Sequence, residues 1–152
     1  MNTSTKCPVW FWIVVIAAIL WNVVGIGAYL ADTMLSDEAL AAMPDAERAL
    51  YTTRPSWVTG AFAVAVFAGF GGSVLLALRH GFAPAVFGVS LIAVTAQMFY
   101  VLAVSNTLAV LGPTSAVLPV TITVIAIALL WFSLGARTRG WLPGRSLKPE
   151  PK

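Results

Sequence analysis

The chain has 152 residues, 59% of them hydrophobic and only 10% charged, with a net charge of +3. An ordinary soluble domain is about 45–50% apolar and about 25% charged, and a domain this small has too little interior to hide such an excess. A single cysteine, Cys7, excludes an intrachain disulfide, and with one histidine, His80, a metal site within the chain is not expected.

Four charge-free stretches are long enough to cross a bilayer core, which takes about 20 apolar residues. They run over residues 9–30, 57–78, 83–104 and 113–134. The pattern predicts an all-α fold, an integral membrane four-helix bundle over residues 1–135, followed by a basic, disordered tail over 136–152. The alternative for the first stretch is a signal peptide with Lys6 as its charged start. Signal h-regions run only about 7–15 residues. This stretch is longer, carries Trp10, Trp12 and Trp21, and has no clear small-x-small cleavage site, so it reads as a retained anchor.

Residues 31–56 separate the first two spans. Ser36 before Asp37 and Glu38 reads as an N-cap with acids in the first turn, and Pro44 before Asp45 and Glu47 repeats the theme. Leu35, Leu40, Met43, Leu50 and Tyr51 form a broken apolar stripe. The spacing predicts one or two short amphipathic helices on the outer membrane surface. Two roles are open to the loop. It is either an interfacial connector, with Arg48 pairing to Asp45 or Glu47, or a cap over a cavity with Arg54 and Trp57 at its mouth.

In the second span, Ala61, Ala65, Gly69, Ser73 and Ala77 recur every fourth residue. That is a small-residue seam, which lets membrane helices approach backbone to backbone. The nearby Gly69-Phe70-Gly71-Gly72 sequence does not make a dinucleotide fingerprint. Val74 stands where the last glycine belongs, and no acid lies between Glu47 and Glu150. No P-loop or nucleophile elbow occurs either.

No Asp, Glu, Lys, Arg or His falls inside the four spans, which argues against a proton-coupled carrier or voltage sensor. Two amides stand out instead. Asn22 is the fourteenth residue of its span and Gln97 the fifteenth of its own, so parallel spans place them at similar depth. Tyr29 and Tyr100 follow on the same faces. Either the amides bond to each other across the helices, or they and the tyrosines line a small polar cavity open to the outside. Pro119, near Thr121 and Thr123, is expected to bend the fourth span.

Charge sets the orientation. Lys6, Arg79 and the five bases Arg137, Arg139, Arg145, Lys148 and Lys152 make seven of the nine Lys and Arg residues. All seven lie on one side of the alternation, so the N- and C-termini are expected in the cytoplasm. The bases do not interleave with aromatic residues on a polar surface, so no nucleic acid is expected as a partner.

The segments LWNVVG at 20–25, PSWVTGAFAVAVFAGFGGSVLLALRH at 55–80 and SLIAVTAQMFY at 90–100 resemble a small, uncharacterised bacterial four-helix membrane family whose members often carry the label "sugar transporter". The resemblance implies that Trp21, Asn22, Gly25, Pro55, Trp57, Gly69, Gln97 and Tyr100 belong to its recurring pattern. The expected role is a non-enzymatic inner-membrane protein without cofactors. It would bind or ease the movement of a small neutral solute such as a sugar, as a homo-oligomer. The alternative is an accessory subunit of a larger membrane complex.

Overall fold

A computed structural model describes residues 7–142, and these are all-helical, with no strand among them. Four helices, Val9–Thr33, Ser56–Ala77, Ala83–Val104 and Pro113–Thr138, are long and apolar enough to cross a membrane. The first is α1, Val9–Thr33, started by Pro8, whose fixed φ of −67° suits a helix entrance. Two short helices follow, α2 (Asp37–Ala41) and α3 (Asp45–Thr52). Ser36 caps α2 by accepting from the Ala39 amide at 3.1 Å. Arg48 pairs with Asp45 at 2.7 Å across the first turn of α3.

Next come α4 (Ser56–Ala77) and α5 (Ala83–Phe99). The end of α5 loosens into a π-helical turn at Tyr100–Val104, with the Ser105 amide bonding Tyr100 O. The short stretch between the third and fourth spans forms a five-residue helix, α6 (Thr107–Leu111). A 3-10 turn at Pro113–Ala116 then leads into α7 (Val117–Thr138). Pro119 falls in the first turn of α7, where its missing amide hydrogen removes no helical bond.

The long helices pack in chain order. α4 lies against α1 on one side and α5 on the other, and α7 packs on α5. No comparable seam joins α1 to α7. The two are held at one end only, where Trp10 and Phe11 meet the Phe132 ring at 5.7 and 5.8 Å between centroids. Phe11, Val15, Leu76, Ala83, Phe87 and Ala136 form the buried core of that end.

Residues 136–142 depart from the expected tail. α7 runs to Thr138, and Gly140 at φ 73° turns the chain back, a conformation that favours glycine. The Trp141 amide then bonds Ala136 O at 3.0 Å. Trp141 and Leu142 pack into the core, so the ordered unit ends later than residue 135. The rest of the expected tail, residues 143–152, lies outside the described residues. Arg79 ends α4 in the same way at φ 56°, and its Nε donates to Trp141 O at 2.8 Å, linking the two caps.

Candidate functional site

From Phe87 of that core, through the middle of the bundle and toward its opposite end, the four long helices line a cavity of about 360 Å³. The small residues of α4 set its shape. Ala65, Gly69 and Ser73 are buried, with Ala61 and Ala77 partly so. A Cβ on Gly69 would collide with Asn22 Oδ1 and come within 3.2 Å of Ser90 Oγ. Glycine there lets α1 and α5 approach α4 at one level. The seam therefore receives two helices of its own chain.

The direct bond between Asn22 and Gln97 is not made. Asn22 Nδ2 donates to Ala18 O at 2.8 Å and to Ser73 Oγ at 3.1 Å. Ser73 in turn donates to Gly69 O at 2.9 Å, and Ser90 donates to Ala65 O at 2.7 Å. These bonds stitch α1, α4 and α5 together. They use both amide hydrogens of Asn22 and the single hydroxyl hydrogen of each serine.

Gln97 differs. It is 8% exposed, it lines the cavity, and its side chain makes no hydrogen bond among the described residues. An amide can give two hydrogen bonds and accept two more. The Gln97 amide atoms are not sealed off from the cavity, so those hydrogen-bonding positions are open to an occupant.

The remaining expected site residues lie elsewhere. Tyr29 packs edge-on against Phe62 and Phe67, at 5.4 and 5.9 Å. Trp57 and Tyr100 pack on each other at 5.7 Å. Tyr100 lines a separate hollow of about 420 Å³ beneath α3, beside Thr53 and Asn106. No residue of the 31–56 loop lines the cavity at Gln97, whereas Ala46, Ala49, Leu50 and Thr53 of that loop line the hollow at Tyr100. Arg54 makes a bidentate pair with Asp32 at 3.1 and 2.7 Å, fastening the start of α4 to the last turn of α1.

Sequence reasoning missed Ser90 as a cavity group, and it missed the apolar wall that α7 supplies through Leu118, Ile122 and Leu129. Ser90 does share the Gln97 face of α5 at helical spacing, which was the available signal. Among the described residues no group of His, Cys, Asp or Glu is placed to hold a metal ion. Comparison with known protein families, curated proteins and solved structures finds no match to this chain.

Proposed function

We propose that the chain is an integral inner-membrane four-helix bundle with both termini in the cytoplasm, and that its cavity binds or passes a small neutral solute. Four apolar helices of spanning length support the membrane assignment. The clustering of Lys6 and Arg79 with the C-terminal bases supports the orientation. The observation that carries the solute reading is Gln97, whose amide makes no hydrogen bond among the described residues and lines a cavity of ligand size. No ionisable side chain among the described residues lines that cavity, which favours an uncharged occupant.

The test is purified protein in liposomes with uncharged solutes running from sugars and polyols to alcohols and amides. The expected result is saturable binding or flux that Gln97→Leu lowers at least about tenfold, as loss of two hydrogen bonds predicts. No binding or flux anywhere on the panel overturns the reading. Orientation is tested by labelling intact spheroplasts with an impermeant maleimide. Native Cys7 stays unlabelled and a Ser36→Cys variant of a Cys7→Ser chain reacts; the reverse pattern overturns the assigned topology.

A second reading is favoured by α7, whose spanning window is only 6% buried within the chain. As an accessory subunit or homo-oligomer, the protein would use this helix against another membrane protein. Stable co-purification of one such protein, lost in a Val124→Trp variant on the exposed face, is its expected signature.

A further inference from the structure

Water is a poor filling for this cavity. At about 30 Å³ each, on the order of a dozen molecules would be needed, and a buried water wants two to four polar partners. The wall offers very few. Asn22 has spent both donors, and the Ser90 hydroxyl has spent its one. What remains is the full amide of Gln97, with acceptor capacity on Asn22 Oδ1 and Ser90 Oγ. Phe87, Val94, Met98, Ile122 and Leu129 supply much of the rest. A sugar carries hydroxyls around its whole ring, and most of them would lose water here without gaining a partner.

The cavity is also open sideways. Trp21 and Val24 on α1 and Leu118 on α7 line it while remaining 36%, 68% and 63% exposed, in the gap where α1 and α7 have no seam. In a bilayer that gap faces lipid, so a ligand dissolved in the membrane reaches the cavity without crossing water.

From this geometry we infer that the cavity takes an uncharged single-chain amphiphile from the lipid phase, its one hydroxyl or amide head hydrogen-bonded to Gln97 and its chain lying along the apolar wall. The inference rests on the solute reading above and narrows it to one chemical class. A charged headgroup is disfavoured, because no ion partner lines the cavity. A plain hydrocarbon would leave the Gln97 amide unpartnered.

The experiment is equilibrium binding to the full chain in phospholipid nanodiscs, with decanamide, decanol, decane and glucose as probes. Decanamide and decanol are expected to bind saturably, with Gln97→Leu weakening both at least about tenfold. Decane and glucose are expected to stay at the empty-nanodisc background. Leu118→Trp narrows the side opening from an exposed position and is expected to slow decanamide binding severalfold without altering helicity. Glucose binding that depends on Gln97 would overturn the amphiphile inference and leave the solute reading standing. Decane binding as well as decanamide, unaffected by Gln97→Leu, would overturn it too. Silence from all four probes and from the wider panel would overturn both.

Discussion

The two ends of the molecule are built from the same four helices and are finished differently. At the end with Phe11, Trp141 and the α4–α5 turn, large rings fill the space between α1 and α7 and both helix caps are tied by Arg79. Arg139 lies over the Trp10 and Trp141 rings at 5.9 and 5.2 Å and closes that cluster. Midway along the bundle, small residues draw α1, α4 and α5 together, and beyond them α7 stands away from α1 behind an apolar cavity. The closed end holds the helices by bulk and the middle by close approach and hydrogen bonds. Stability and binding should therefore separate along the helix axis.

The largest expected effect lies at the closed end. Phe11→Ala removes a fully buried ring and should lower stability by about 3–5 kcal/mol. Denaturant titration in detergent measures it. A loss under about 1 kcal/mol would mean the aromatic cluster does not hold α1 to α7.

Gly69→Ala comes next, because its methyl meets Asn22 head-on; overpacking of this kind costs about 1–3 kcal/mol. Gly60→Ala is the matched control, since a Cβ there meets nothing within 4 Å, and it should be close to neutral. Equal losses at the two glycines would show that the close approach of α1 to α4 is not what Gly69 permits.

The amides sharpen the contrast further, because only Asn22 should matter for stability. Asn22→Leu breaks the bond to Ser73 and should destabilise by about 0.6 kcal/mol, up to roughly 1.7. Gln97→Leu breaks no hydrogen bond within the described residues and should change the stability of the empty protein by less than about 0.5 kcal/mol, while weakening ligand binding. Thermal unfolding of both variants without ligand decides the point. Destabilisation by Gln97→Leu would mean the amide has a structural partner.

Among the broken contacts, the smallest effect is expected at Arg54. Its pair with Asp32 sits where α1 meets α4, outside the cavity, and Arg54→Ala should cost about 1 kcal/mol or less. That loss should shrink in high salt, whereas the other three are insensitive to it. A salt-dependent change in binding would instead tie Arg54 to the site.

Much of this architecture is legible in the sequence, for a physical reason. A run of about 20 apolar residues is a local property, and in hydrocarbon such a run satisfies its backbone only as a helix. The four long helices accordingly lie within a few residues of the charge-free stretches. The Ser36 cap and the Arg48–Asp45 pair are local too, and both were readable from spacing. The last residues were misread because Trp141 and Leu142 look like part of a charged tail. Their burial depends on α1 and α4 standing beside them.

The site was only half legible. Equal depth suggested that Asn22 and Gln97 would meet, but depth along an axis says nothing about which helix stands between two others. α4 lies between α1 and α5, and Gly69 admits the Asn22 side chain to Ser73 on α4. Tyr29, Trp57 and Tyr100 likewise found aromatic partners that helical spacing cannot specify. The sequence by itself determined four long apolar helices and the small-residue seam, because hydrophobicity and spacing act over neighbouring residues. Only the tertiary structure decided that one amide is bonded and the other is free, because hydrogen-bond satisfaction is a property of which helices touch.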